Sequence, residues 1–154
     1  MMKKVLIVYF SHSGNTEKMA EYIAEGVRFT GNQAEVRQTT DIKAEPDFKG
    51  YDGYIFGSPT YSLDIPAIMK SFLSQIPESD LKSKLAGAFG SYRHEVGYAP
   101  GGLAASMFFE KMQNEFGMEP FDLGPLQLKE EFTETEEGLR ACQAYGKAFG
   151  QKLG

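Results

Sequence analysis

The chain has 154 residues, 42% of them hydrophobic, and 16 Lys and Arg against 21 Asp and Glu leave a formal net charge of −5. This length fits one domain with a sizeable core, and the negative charge argues against nucleic-acid or anionic-membrane partners, which favour a basic face. The single cysteine excludes a disulfide framework and a zinc site built on several thiolates. The apolar run Val5–Phe10 is too short for a signal peptide, and no stretch approaches the ~20 apolar residues of a membrane span. We therefore expect one cytoplasmic domain over residues 1–154.

Apolar runs alternate with helical patterns along the chain, which is typical of parallel strands joined by crossover helices. Apolar residues recur at helical spacing in residues 19–27, 65–76, 103–112 and 139–153, and the last stripe contains Cys142, which we expect to be a buried structural thiol. The pattern predicts an α/β fold, a three-layer sandwich with a five-stranded parallel sheet and helices on both faces. The predicted strands are Val5–Phe10, Ala34–Gln38, Gly53–Gly57, Leu85–Gly90 and Met118–Leu123.

Three segments that end strands are rich in Gly, Ser, Thr and aromatic residues: Ser11–Thr16, Ser58–Ser62 and Ser91–Gly102. They follow the first, third and fourth predicted strands. In open parallel sheets, ligands bind beyond the carboxyl ends of the strands, where the direction of the connections reverses. Because those three strand ends are neighbours in a doubly wound sheet, we expect the segments to form one binding site.

The first of these segments lies between a buried strand and a helix N-terminus, which offers unpaired N–H groups and a partial positive charge. The segment contains no Lys or Arg, so a phosphate bound there would be held by dipoles alone. The alternative is an ordinary turn whose Ser and Thr residues cap the helix. The groups available to a phosphate are the hydroxyls of Ser11, Ser13 and Thr16, the amide of Asn15, the backbone N–H of His12 and the close backbone approach allowed by Gly14.

Three motifs carry a resemblance to a known family. Tyr9–Ala20 resembles the phosphate loop of flavodoxins, which bind FMN; Asp52–Tyr61 is similar to the first ring-binding loop of that family, and Ala88–Tyr92 resembles the start of the second. The resemblance extends over residues 4–153, and from the second ring-binding loop onward it is similar to the flavodoxin domains of flavodiiron proteins. As in short-chain flavodoxins, no long insertion splits the predicted fifth strand. The resemblance implies a flavodoxin-like sheet in the order 2-1-3-4-5.

The resemblance also implies which residues contact the flavin ring. Tyr61 would stack on one face, and either Tyr92 or Tyr98 on the other, because the chain contains no Trp. Offset stacking of this kind is worth roughly 0.5–1.5 kcal/mol beyond burial. The ring contacts it implies are Pro59, Thr60, Tyr61 and Ser62 on one side, and Ser91, Tyr92, Arg93, Gly97 and Tyr98 on the other.

Two positions depart from the family pattern. Ser62 stands where many flavodoxins carry a Gly whose peptide flips on reduction, and a non-Gly residue adopts φ > 0 at a greater cost. We expect Ser62 to weaken the stabilisation of the one-electron-reduced flavin. Arg93 and His94 enter a loop that is often acidic, and their positive charge is expected to make the lower reduction potential less negative.

Two functions remain open for such a chain. The first is an electron carrier, in which FMN passes electrons between redox partner proteins such as a reductase, a ferredoxin or an acceptor enzyme. The second is an FMN-dependent NAD(P)H:quinone or small-molecule reductase, so whether the protein is an enzyme in its own right stays open. With 154 residues and short loops the chain has little material for a substrate pocket, which favours the carrier. We expect a monomer or weak dimer, no nucleic-acid or membrane partner, and neither a catalytic residue nor a metal ligand.

Overall fold

A computed structural model of the protein describes residues 2–10, 14–41, 49–59, 67–76, 81–92 and 104–154. Among the helices of these residues, none is long and apolar enough to cross a membrane. The strands are β1 (Lys4–Tyr9), β2 (Gln33–Gln38), β3 (Gly53–Pro59), β4 (Leu85–Tyr92), β5 (Glu119–Pro120) and β6 (Leu126–Lys129). The helices are α1 (Asn15–Phe29), α2 (Ala67–Ser74), α3 (Ala104–Asn114) and α4 (Glu136–Leu153).

The sheet is parallel throughout and its strands run in the order β2-β1-β3-β4-β5, which confirms the predicted fold class. The sixth strand, β6, also pairs with β4. The central strands β1, β3 and β4 are almost entirely buried, as strands covered on both faces must be. The direction of the connections reverses between β1 and β3, because β1 is followed in the chain by β2 on one side and then by β3 on the other.

Two apolar clusters cover the two faces of the sheet, so the molecule has three layers. Helices α1 and α4 pack on one face, and α2 and α3 on the other. The apolar stripe predicted on α1 is confirmed: each of its residues is fully buried. Cys142 on α4 is also fully buried, and burial raises the pKa of its thiol to about 12. The stripe on α1 consists of Met19, Ala20, Ile23, Ala24 and Val27.

Helices α1 and α4 touch through two glycines. A Cβ at Gly26 of α1 would lie 2.0 Å from the backbone oxygen of Gln143 on α4, and a Cβ at Gly146 of α4 would lie 1.9 Å from the backbone oxygen of Ile23 on α1. Each helix therefore presents a residue without a side chain to the backbone of the other. This close approach fixes the position of α1, whose N-terminus lies at the carboxyl end of β1.

Strand five differs from the prediction. The predicted strand Met118–Leu123 corresponds only to the short β5, and pairing with β4 resumes in β6. The chain turns between them, with Gly124 in the left-handed region at φ 70°, so the fifth strand is split into two short pieces. The segment Leu126–Lys129 was missed because its alternation spans only four residues.

Candidate functional site

The carboxyl edge of the sheet forms a step between β1 and β3. Tyr9, the last residue of β1, pairs with Gly57, and β3 continues to Pro59, which pairs with Ser91 of β4. Strands β3 and β4 thus extend beyond β1, and both run further than the sequence predicted. The step lies where the connections reverse, the usual place for a ligand in an open parallel sheet.

The N-terminus of α1 borders this step on the side of β1. Gly14 is the cap residue, with φ 91° and ψ −11°, a left-handed conformation that glycine adopts at little cost. Apart from its chain neighbours, no described residue has an atom within 4 Å of the position that a Cβ at Gly14 would occupy. Thr16 in that turn is only 1% exposed. A helix N-terminus capped by a glycine fits a phosphate group, because the partial positive charge of the helix favours an anion there and a glycine lets the anion come close to the backbone.

Carboxylates oppose an anion at this end of α1. Burial raises the pKa of the Tyr9 hydroxyl; a hydrogen bond from the Gln38 side chain lowers it, and the charges of Glu17, Glu21 and Asp41 raise it further. Three carboxylates therefore lie near enough to the Tyr9 hydroxyl, at the carboxyl end of β1, to raise its pKa. A bound phosphate would depend on backbone dipoles strong enough to outweigh that repulsion.

The ends of β3 and β4 border the step on the other side, and tight packing fixes their backbones. Ser58 is fully buried and donates a hydrogen bond of 2.8 Å from its Oγ to the Pro59 carbonyl oxygen. A Cβ at Gly57 would lie 2.1 Å from the ring of Phe89, and a Cβ at Gly90 would lie 2.6 Å from the carbonyl oxygen of Ser58. The two strands therefore deliver their following loops to the site from fixed positions.

The structure brings six of the predicted cofactor-binding residues to the carboxyl side of the sheet: Gly14, Asn15, Thr16, Pro59, Ser91 and Tyr92. Ser91 is buried, and the Tyr92 side chain is half-buried at the end of β4. The choice between Tyr92 and Tyr98 as the second stacking residue stays a prediction. Outside the described residues lie Ser11, His12, Ser13, Thr60, Tyr61, Ser62, Arg93, Gly97 and Tyr98.

Gln127 lies beside this edge and was missed by the sequence prediction. It is on β6 in register with Gly90, which in turn pairs with Ser58 of β3. Its side-chain oxygen Oε1 is buried and has no hydrogen-bond partner among the residues that the structure describes. The available signal was the alternation of Leu126 and Leu128 around it, which indicates a strand with Gln127 on the opposite face.

Comparison with known proteins gives a consistent picture. A family model described as a flavodoxin domain matches residues 6–98. A flavodoxin of Maridesulfovibrio salexigens is 33% identical over 68% of this chain and 73% of its own length. Diflavin flavoprotein A 2 of Thermosynechococcus vestitus is 32% identical over 97% of this chain and 25% of its own length. An NAD(P)H dehydrogenase (quinone) of Gluconacetobacter diazotrophicus is 31% identical over 70% of this chain and 63% of that protein.

A solved structure is also similar over nearly the whole length of both chains. Flavodoxin 2 from Bacillus cereus superposes with a TM-score of 0.80 and 29% identity, covering 97% of this chain and 99% of that one. The chain spans about a quarter of the length of the diflavin flavoproteins that it matches. The family model, the relatives and the strand order agree, and the chain belongs to the flavodoxin family, whose members are FMN-binding flavoproteins that transfer electrons to partner proteins.

Proposed function

We propose that this chain is an electron carrier in which bound FMN exchanges electrons with a reductase or ferredoxin on one side and an acceptor enzyme on the other. The observation that carries the proposal is the likeness to a Bacillus cereus flavodoxin over 97% of this chain and 99% of that one. A carrier needs a held cofactor and a partner-accessible edge but no pocket for a second substrate. We propose that one domain over residues 1–154 performs this role in the cytoplasm, as a monomer or weak dimer.

The residues present at the carboxyl edge suit FMN. The N-terminus of α1, capped by Gly14, would hold the phosphate together with Ser11–Thr16. The ring would lie beyond the ends of β3 and β4, between Pro59–Ser62 and the segment that begins at Ser91. FMN supplies the one- and two-electron chemistry, and the protein supplies binding, orientation and electrostatic tuning.

A second candidate function is supported by one relative. The similarity to an NAD(P)H dehydrogenase (quinone) extends over 70% of this chain, so a reductase with its own small substrate is the competing proposal. A reductase must bind NAD(P)H and a quinone in turn beside the flavin, whereas a carrier accepts electrons from another protein.

Reduction of the purified, FMN-loaded chain separates the two functions. The chain is mixed under anaerobic conditions with NAD(P)H and a soluble quinone, and then with NAD(P)H and a flavodoxin reductase. We expect no turnover in the first mixture and rapid bleaching of the flavin absorbance in the second. Steady-state oxidation of NAD(P)H by the chain and quinone alone would contradict the carrier function and support the reductase.

A further inference from the structure

Gln127 occupies a defined place in a row of residues that crosses the sheet near the cofactor edge. The row contains Ser58 of β3, Gly90 of β4 and Gln127 of β6, which are paired in register. Successive side chains along a strand alternate between faces, and paired residues in register share a face. The position that a Cβ of Gly90 would occupy lies 3.4 Å from the Cβ of Ala105, so this row faces the first turn of α3.

The row lies close to the edge of the sheet. Gly90 is two residues before Tyr92, where β4 ends, which corresponds to about 7 Å at a strand rise of about 3.3 Å per residue. Gly90 has no side chain, so nothing of that residue separates the Gln127 amide from the neighbouring strand. Side chains on strands stand roughly perpendicular to the sheet and lean along the strand, so a glutamine at this position that leans toward the carboxyl end would bring its amide closer to that edge.

The amide oxygen of Gln127 has an unusual environment. Oε1 is buried, yet in the described part of the chain no donor lies within hydrogen-bond distance of it. It is the one buried side-chain oxygen or nitrogen of the described residues in this condition. A buried acceptor without a donor destabilises the protein that contains it, and such a group in a native structure requires an explanation.

We propose that Gln127 is a positioning residue of the FMN site, whose Oε1 accepts an N–H hydrogen bond that forms when FMN binds. This inference rests on the proposed FMN function. The donor is an amide-type N–H, supplied either by N3 of the flavin ring or by a backbone N–H that FMN binding brings to the amide. In both cases the unpaired acceptor lowers the stability of the FMN-free protein, and it gains a donor in the FMN complex. The residue therefore couples folding to cofactor binding.

The central test compares Gln127→Met with the wild-type full-length chain in two measurements. Methionine matches glutamine in length and lacks the acceptor. We expect the dissociation constant for FMN, measured by quenching of flavin fluorescence, to rise about tenfold. The melting temperature of the FMN-free protein should rise by roughly 2–4 °C, because the unsatisfied acceptor is gone. Gln151→Met, the same substitution at an exposed position near the end of α4, should change neither quantity.

Two further measurements locate the donor and separate positioning from folding. N3-methylated FMN lacks the ring N–H: if Gln127→Met weakens binding of FMN but not of this analogue, the donor is N3, and if it weakens both equally, the donor is a backbone N–H. Gln127→Glu keeps an acceptor of the same length and adds a negative charge. At pH 8 it should bind FMN about as tightly as the wild-type chain does and make the reduction potential more negative than that of the wild type. This variant carries the test if Gln127→Met does not fold.

The outcomes distinguish the inference from the proposed function. Wild-type chain that fails to bind FMN would overturn the proposed function and the inference together. Wild-type chain that binds FMN with Gln127→Met binding it equally tightly would overturn the inference alone. A fall in the melting temperature of the FMN-free Gln127→Met variant, with unchanged affinity and an unshifted potential in Gln127→Glu, would assign Gln127 to the fold.

Discussion

The hydroxyl oxygen of Tyr145 on α4 lies 3.2 Å from the backbone nitrogen of Ala88 on β4 and accepts its hydrogen bond. The same hydroxyl donates a hydrogen bond of 2.7 Å to the carbonyl oxygen of Gly124. Two residues earlier on β4, the Ala86 carbonyl still accepts from the N–H of Phe121, so the gap in the ladder begins just past β5. The tyrosine hydroxyl thus stands in for a main-chain partner where the fifth strand is split.

Replacing Tyr145 with Phe tests whether its hydroxyl takes the place of the missing strand as a hydrogen-bond partner. Two backbone groups, at Ala88 and Gly124, lose their partner, and we expect unfolding to become easier by about 2–3 kcal/mol in a urea titration. Burial raises the pKa of Tyr145, so its contribution is present below the unfolded value of about 10 and is lost as pH rises through the folded value. The difference between wild type and variant should therefore shrink at strongly alkaline pH.

The control for that measurement is Tyr22→Phe on α1. Tyr22 is half-buried, and the structure records no hydrogen bond from its hydroxyl to a described residue. Its replacement should change the urea midpoint little. Equal losses of stability in both variants would mean that removing any tyrosine hydroxyl has this effect, independently of the gap in strand five.

Gly26→Ala tests the close contact of α1 and α4. Alanine favours a helix by about 1 kcal/mol over glycine, so propensity alone predicts stabilisation. The new Cβ would however lie 2.0 Å from the Gln143 oxygen and 2.8 Å from the Lys147 nitrogen, both backbone atoms that cannot rotate away. We expect a net loss of roughly 1–3 kcal/mol by chemical denaturation.

A control on the same helix is Glu21→Ala, at an exposed position. This variant gains helix propensity without meeting the partner helix and should match or exceed wild type in stability. A Gly26→Ala protein as stable as the control would show that the two helices separate without cost, contrary to the packing described above.

Glu17→Gln tests the electrostatics of the proposed phosphate site at the start of α1. Glu17 is exposed in the first turn of α1, and its charge opposes a phosphate at that helix N-terminus. Neutralising it should tighten FMN binding roughly twofold, more at low salt than at high salt, as expected for an exposed charge. The measurement is the FMN dissociation constant at two ionic strengths.

Glu25→Gln serves as the matched control because it lies eight residues further along α1, about 12 Å away at 1.5 Å per residue. That distance exceeds the screening length of about 8 Å at physiological salt, so affinity should stay the same. Weaker FMN binding in Glu17→Gln would contradict a phosphate position at the start of α1.

Tyr51→Phe tests an acid-sensitive contact between Tyr51, just before β3, and Glu35 of β2. The Tyr51 hydroxyl donates a hydrogen bond to the Glu35 carboxylate, and this bond is the main reason that the pKa of Glu35 is lowered, with burial opposing it and Arg37 assisting. A carboxyl whose folded pKa is depressed stabilises the protein above its unfolded value of about 4.3, and this stabilisation is lost as pH falls through the folded pKa.

In the Tyr51→Phe protein the pKa of Glu35 should rise toward its ordinary value, as followed by the NMR shift of the carboxyl carbon. Stability at neutral pH should fall, and the difference from wild type should vanish at strongly acidic pH. An unshifted Glu35 titration would assign the lowered pKa to the positive charges of Arg37 and Lys4 instead.

Local pattern predicted the strands and the helix that border the proposed site. The run Val5–Phe10 reads as a buried strand because its residues are continuously apolar, and Gly14, which follows it, adopts the left-handed conformation of the helix cap at little cost. The extensions of β3 and β4 to Pro59 and Tyr92 were not predicted, because Ser58 and Ser91 are polar. Their burial depends on the neighbouring strands, which pattern along one segment does not describe.

By itself, the sequence determined the alternation of strands and helices, the apolar stripes that pack them, and the motifs at the ends of β1, β3 and β4 that identify the family. These features depend on residues close together in the chain. Only the tertiary structure decided where strand five breaks, that Tyr145 fills the gap, and that Gln127 lies beside Gly90 with no described residue donating a hydrogen bond to its buried oxygen. Those outcomes depend on residues brought together from distant parts of the chain, where a hydrogen bond is made or lost according to what packs opposite it.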